Sequence, residues 1–485
     1  MRYTLFNFMK MPCVGKICFL FIFLATLLSQ AGCRKFVEID PPKTGIVSTS
    51  VYESDASAAA VLTGIYSRLI ENPQGVISGN YSIGYLCGLS ADELTNYSTD
   101  DNKIQFYTNS LTALRFNYFW SDLYQQIYVT NAAIEGISKS SNLSVAVKEQ
   151  LLGEARFLRA FFYFYAVNLF GDVPLLLSTD YRQNNVAQRA PISSVYDQIV
   201  KDLEEAKSLL TDSYRSASNK VTDERVRPNK GTAVALLARV YLYRQEWQKA
   251  DNEASELIAN SSLYNIAQPL NNVFLKESSE AIWQFQSVYP GANTFDGYFY
   301  VLLSPPGSGQ YEVSISNELI SQFENGDKRL TEWIGSFTTD SITYYHYSNK
   351  YKVNALDESV PVTEYTIAFR LAEQYLIRSE ARVQLGKIDG ALADLNAIRS
   401  RAGLSQVTFT TKEEVLAAIY HERQVELFTE WGHRWLDLKR TGLIDAVMNR
   451  VAEDKGGSWN TSKQLFPIPA TEIQKNSHLN QNNGY

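Results

Sequence analysis

The feature that most constrains how this chain can fold is a short helical pair that recurs. Pro228-Asn229-Lys230-Gly231 introduces two helical patterns, residues 232–244 and 247–259, with Gln245-Glu246 as the turn between them. Small and large apolar residues interleave in the first (Ala233, Leu236, Leu237, Val240, Tyr241), and Ala250 stands in the second where close packing wants a small side chain. The same arrangement returns at residues 372–385 and 388–401, with Gly386-Lys387 as the turn and Ala391 at the small position. A looser third pair covers residues 123–136 and 149–169. Each pattern buries only one stripe, so each helix must find a partner.

This is the helix–turn–helix logic of tetratricopeptide repeats. The two clear pairs lie about 140 residues apart, so insertions separate them, and insertions are where function is expected. Helical periodicity also runs from near Tyr52 (Ala58, Val61, Leu62, Ile65, Tyr66, Leu69) to a stop at Asn72-Pro73. It is expected again over residues 111–136, 145–169, 195–210, 412–427 and 431–448. Gly171-Asp172-Val173-Pro174 reads as a helix stop, and Phe466-Pro467-Ile468-Pro469 cannot be helical. Residues 75–110 are rich in Gly, Ser, Asn, Asp and Tyr with weak periodicity, and read as a long functional loop. The expected fold is mainly α. Its helical scaffold covers about 52–260 and 366–450. An irregular lobe over about 260–365 holds a few short strands, among them 281–285 and 298–302.

The N-terminus carries an address. Arg2, Lys10 and Lys16 precede an apolar run of 12 residues from Ile17 to Leu28, too short for the roughly 20 residues that span a bilayer. Leu27-Leu28-Ser29-Gln30-Ala31-Gly32-Cys33 then resembles a bacterial lipobox, so residues 1–32 read as a lipoprotein signal peptide and Cys33 as the lipidated start of the mature chain. Residues 33–51, with Pro41-Pro42 and Gly45, read as an extended tether, and 52–485 as the folded domain. Loss of the signal removes three positive and no acidic residues, which takes the net charge from −7 to −10 and argues against nucleic acid as a partner. Cys13 and Cys18 leave with the signal and Cys33 takes the lipid, so Cys87 has no disulfide partner. Four His without a His-Glu-x-x-His spacing give no support for a metal site, and no cofactor is expected.

Aromatics are the compositional excess, at 13% of the chain with 30 Tyr. A Tyr ring stacks and its hydroxyl hydrogen-bonds, which suits a ligand-binding surface. Two clusters stand out. The 75–110 region mixes Asn80, Tyr81, Tyr85, Asp92, Asn96, Tyr97 and Tyr107. The 289–311 region offers Tyr289 and Phe295 around a Pro/Gly turn, with Tyr298 and Tyr300 on one face of an expected strand. Phe299 would face the core there, as would Trp283 and Phe285. Tyr344, Tyr345, Tyr347 and Tyr351 form a third aromatic edge or an interface. Asp92-Glu93 is a poor carboxylate pair for glycoside hydrolysis, because adjacent residues rarely reach the needed separation. No Gly-x-Ser-x-Gly is present, so no enzyme activity is expected. Glu154 and Arg159 are expected to pair with neighbouring helices.

Several blocks, taken in order, resemble the SusD/RagB family of outer-membrane nutrient-binding lipoproteins of Bacteroidetes. They are Phe36-Val37-Glu38-Ile39-Asp40-Pro41-Pro42, Glu154-Ala155-Arg156-Phe157-Leu158-Arg159-Ala160, and Asn168-Leu169-Phe170-Gly171-Asp172-Val173-Pro174-Leu175. Further on come Glu422-Arg423-Gln424-Val425-Glu426-Leu427, Arg434-Trp435-Leu436-Asp437-Leu438-Lys439-Arg440, Phe466-Pro467-Ile468-Pro469 and Leu479-Asn480-Gln481-Asn482-Asn483-Gly484-Tyr485. The resemblance implies a cell-surface lipoprotein, held by lipid at the outer membrane, that captures an oligosaccharide or peptide and passes it to a SusC-type TonB-dependent transporter. It implies no catalytic residue. Starch-binding relatives supply an aromatic residue and an Asn from the loop corresponding to Tyr97 and Asn96. With Tyr107, Tyr289, Tyr298 and Tyr300 these are the expected ligand contacts. The rival reading is a helical-repeat scaffold for envelope proteins.

Overall fold

A computed structural model describes residues 49–72, 75–356 and 359–485. The signal peptide, Cys33 and nearly all of the tether therefore lie outside the described residues. Helix α1 (Asp55–Glu71) starts at Ser54, whose hydroxyl accepts from the Ser57 amide at 3.2 Å. It buries all six apolar residues that carry its periodicity. The region read as a long loop is instead α2 (Ile83–Ser90), β1 (Leu94–Asn96) and α3 (Asp101–Tyr107). Every residue of α2 is buried, so it shows no polar stripe, and β1 is too short to alternate visibly. Residues 111–119 are also not helical. Phe116 and Phe119 turn inward there onto Phe106 and Phe466, with centroids 6.0–6.2 Å apart, and the helix begins only at Trp120.

From that point the scaffold follows the expected pattern. It runs through α4 (Trp120–Lys139), α5 (Val145–Phe170), the β2–β3 hairpin (Val173–Pro174, Arg189–Ala190) around α6 (Tyr181–Asn184), and α7 (Ile192–Leu209). Gly171, at φ 76°, ends α5 as the sequence suggested. The β4–β5 hairpin (Tyr214–Arg215, Val221–Thr222) leads to α8 (Lys230–Tyr243) and α9 (Trp247–Ala259).

The lobe contains β6 (Ala281–Phe285), α10 (Phe295–Tyr300), β7 (Val313–Ile315), α11 (Asn317–Ile320), α12 (Lys328–Glu332), β8 (Ile334–Phe337), β9 (Tyr345–Ser348) and β10 (Thr366–Arg370). The scaffold resumes with α13 (Leu371–Gln384), α14 (Ile388–Arg401) and α15 (Lys412–Leu427). The expected last helix is two, α16 (His433–Arg440) and α17 (Ile444–Val451), because Gly442 at φ 73° breaks it. Helix α18 (Ala470–Lys475) precedes the tail.

Pairs far apart in sequence stack in space. Helix α5 packs on α4 and α7, α8 on α7 and α9, α9 on α13, and α13 on α14 and α15. The contact of α9 with α13 restores a continuous array across the insertion. Strands β6 and β10, the insertion's two ends, close it as an antiparallel pair with Phe285 opposite Thr366. Trp283 and Phe285 are core, as expected, and Trp283 packs edge-on against Phe157 and Phe161 at 5.0 and 5.3 Å.

Buried charges lock the helices. Glu154 accepts from Arg227 at 2.6 Å, and Arg159 forks onto Asp202 at 2.6 and 2.8 Å, so this block ties α5 to its neighbours. At the other end, Arg329, Arg370 and Arg401 converge on Glu426 with Glu280, Glu422 and Glu430 around them.

Candidate functional site

The site is built on β1. It pairs antiparallel with β7, Leu94 opposite Ile315 and Asn96 opposite Val313, and β9 packs alongside β7. This brings Tyr97, just past the end of β1, against Tyr345 at the start of β9. Their rings meet edge-on with centroids 5.8 Å apart. Both are half-buried, so each keeps ring surface at the solvent. Tyr347 lies over Gly335, its partner on β8, where a β-carbon would sit 2.2 Å from the ring.

A polar support holds Tyr97 in place. Its amide donates to the Glu312 carbonyl at 2.8 Å. The Glu312 carboxylate accepts from Ser98 Oγ at 2.7 Å, from Asn80 Nδ2 at 3.0 Å, and from Lys103 Nζ. Lys103 in turn lies 4.5 Å above the Tyr81 ring, which stacks on Tyr118 at 5.2 Å while its hydroxyl donates to Asp100. Asn80 and Tyr81 are thus committed inside the loop. So is Asn96, whose amide group both donates to and accepts from the Ser98 backbone at 3.2 Å. Asn96 shapes the turn that presents Tyr97.

Beside Tyr97 opens a pocket of about 390 Å³ lined by Thr95, Tyr107, Asn317, Glu318, Asp454 and Lys455, among others. Burial, with the Tyr97 and Asp454 oxygens nearby, raises the Tyr107 phenol above its ordinary value. Lys455 Nζ lies 5.1 Å from the Tyr107 ring and donates to the carbonyls of Leu89, Ser90 and Ala91 at 2.8, 3.0 and 2.5 Å. Burial brings its ammonium down to about 7. Of the expected contacts, Tyr107 lines this pocket, while Tyr97 lies near enough for its phenol to act on that of Tyr107 without lining the pocket itself. Asn317 and Asp454 line it too, from segments far apart in the sequence, and Tyr345 reaches the Tyr97 ring rather than the pocket.

The 289–311 cluster does not join them. The expected strand over 298–302 is helix α10, whose start Thr294 caps by accepting from the Gly297 amide at 2.9 Å. Two residues apart on a helix, Tyr298 and Tyr300 face opposite ways. Tyr300 is buried and stacks on Tyr85 at 5.5 Å, while Tyr298 is half-buried against Phe299 at 5.1 Å. Tyr289 is exposed, and its hydroxyl donates to the Glu71 carbonyl at the end of α1 at 2.7 Å. Phe299 is buried, as expected.

The adjacent carboxyls Asp92 and Glu93 behave differently. Burial would raise Asp92, but Arg434, donating from Nε and NH2 at 2.7 Å each, outweighs it and holds the carboxyl below its usual value. Glu93 has no such partner. Burial and the Asp92 charge push it up to about 8. Between the ordinary Glu value and 8, the unfolded chain is deprotonated at Glu93 and the folded chain is not, so this group makes stability fall as pH rises through that window. Glu93→Gln keeps an acceptor for the Thr429 amide, 3.3 Å away, and removes the titration. Between pH 5 and 8 the variant should lose less melting temperature than wild type. Equal losses in thermal unfolding would remove Glu93 from the account.

Two family profiles cover most of the chain. One, described as starch-binding and associating with the outer membrane, matches residues 48–242, and one for the SusD family matches residues 251–485. SusD-like protein P25 of Formosa agariphila is 24% identical, with 97% of this chain and 100% of that protein covered. Starch-binding protein SusD of Bacteroides thetaiotaomicron is 24% identical over 68% of this chain and 72% of that one. Among solved structures, a laminarin-binding SusD-like protein superposes with TM-score 0.74 at 24% identity, covering 90% of this chain and 100% of that one. Surface glycan-binding protein A from Bacteroides thetaiotaomicron superposes with TM-score 0.74 at 20% identity, covering 89% and 100%.

Proposed function

The chain belongs to the SusD family, and from that premise we propose that it is a lipid-anchored surface protein that captures a glycan in the cleft beside β1. The observation that carries this reading is the half-buried Tyr97–Tyr345 ring pair near a pocket lined by Tyr107, Asn317, Glu318 and Asp454. Flat rings take the C–H faces of sugars, while an amide and carboxylates take their hydroxyls. Relatives named for binding starch, laminarin and surface glycans support the substrate class.

Capture without hydrolysis fits the carboxyls near the cleft. Asp92 is held by Arg434, and its neighbour Glu93 is fully buried, does not line the pocket and accepts from the Thr429 amide. Among the described residues no helix is long and apolar enough to cross a membrane, and the proposed membrane attachment is lipid on Cys33. A tethered domain stays at high effective concentration beside a SusC-type TonB-dependent transporter, to which it would deliver the glycan.

Affinity electrophoresis in gels containing soluble starch, laminarin and a panel of plant and algal polysaccharides tests the reading. The chain should be retarded by at least one of them. Retardation by none, with the protein folded by circular dichroism, would rule out glycan capture. Co-purification from the native envelope should yield one dominant transporter rather than several assembly factors.

A further inference from the structure

A second groove lies on the scaffold, between α4, the α6 turn and α18, and shares no lining residue with the β1 cleft. We infer that it is a second carbohydrate-binding site, for an uncharged glycan chain. The inference rests on the glycan-capture reading above.

The groove has a volume of about 500 Å³. One wall is a row of rings on α4. Trp120, Tyr124 and Tyr128 recur every fourth residue, which sets them on one face about 6 Å apart along the axis, comparable with one sugar unit of an extended glycan. Trp120 is buried, its ring 4.8 Å from that of Tyr124. Tyr124 is fixed because its hydroxyl donates to the Pro174 carbonyl at 2.8 Å. Tyr128 is 41% exposed, and on the facing wall Tyr181 of α6 is 69% exposed.

Between the rings the lining mixes the amides of Gln125, Asn184 and Asn185 with the aliphatic side chains of Pro174, Leu176 and Leu479. The side chains of Gln125 and Asn185 both line the groove and make no hydrogen bond within the described residues, so their donors and acceptors are available. The charged groups cancel, since Glu472 and Lys475 pair with each other at 2.8 Å. A groove of rings, aliphatic patches and free amides whose one ion pair leaves no net charge suits neutral sugars better than a phosphate or a carboxylate ligand. The walls are fixed to each other, because Asn476 at the end of α18 donates to the Ala187 carbonyl at 2.8 Å.

A polysaccharide long enough to engage both sites gains avidity that a short oligosaccharide does not. The test uses the full chain with soluble starch and laminarin as polymers and their heptasaccharides as short ligands. Tyr128→Ala/Tyr181→Ala should weaken retardation by the polymer that wild type binds about tenfold, while calorimetric affinity for the heptasaccharide stays near wild type. Both side chains are solvent-facing, and unchanged thermal unfolding should establish that the fold is intact. If the double variant is retarded as strongly as wild type, the second site is wrong and glycan capture at the β1 cleft stands. If wild type itself is retarded by neither polymer, glycan capture fails and this inference fails with it.

Discussion

Glu426→Ala should cost about 3–5 kcal/mol of folding stability, read as a lower denaturation midpoint in guanidinium chloride. Glu426 is fully buried, and its two oxygens serve three arginines. Arg329 and Arg370 donate to it at 2.8 and 2.5 Å, and Arg401 donates beside Arg370. Burial raises such a carboxyl, but the guanidiniums of Arg401, Arg370 and Arg329 outweigh it and hold Glu426 well below the carboxylate range. Removing it leaves positive charge buried with too little compensation. Arg401 suffers most, since it would keep only Glu280, at 2.9 Å, and its Nε has no hydrogen-bond partner among the described residues. Glu426→Gln preserves the volume and should lose less. The same lowered value sets an acid window. Above the ordinary Glu range the contribution is complete, and it is lost as pH falls through the folded value. A loss below about 1 kcal/mol in the alanine variant would mean that the surrounding acids already neutralise the cluster.

Tyr97→Ala should weaken glycan binding by about thirtyfold, the equivalent of about 2 kcal/mol for an aromatic anchor in a small site. Tyr97 is the ring that the support beneath it exists to hold. Glu312, Ser98 and Lys103 fix its backbone, and Tyr345 fixes its angle. The ring is half-buried rather than core, so unfolding stability should change by no more than about 1 kcal/mol. Tyr97→Phe separates stacking from hydrogen bonding. Among the described residues the hydroxyl receives only a long bond from Ser314, 3.5 Å, so the Phe variant should bind nearly as wild type does. Affinity electrophoresis and calorimetry with the glycan retained by wild type measure both variants. Wild-type affinity in Tyr97→Ala would move the site away from β1.

The helical scaffold was readable wherever an amphipathic stripe met a clear stop. Helices Trp247–Ala259, Ile388–Arg401 and Lys412–Leu427 begin and end where their periodicity does. Where that contrast vanishes, the chain gives no local signal of its helices. Ile83–Ser90 is buried on all sides and shows no stripe, and the Tyr-rich run at 298–302 alternates like a strand but coils because Thr294 caps a helix there. The aromatic content pointed to ligand contact, but it did not distinguish Tyr97, half-buried against Tyr345, from Tyr300, stacked in the core.

By itself the sequence determined the fold class, the repeat logic of the scaffold and the family. These follow from interactions within a few residues, such as stripes, caps and turns, or from motifs contiguous in the chain. The tertiary structure decided which rings face solvent and which partners complete the site. Ser98 meets Glu312 across 214 residues, and Tyr97 meets Tyr345 only because β7 and β9 lie side by side. Such pairings are selected by the packing of the whole lobe, and no local pattern records them.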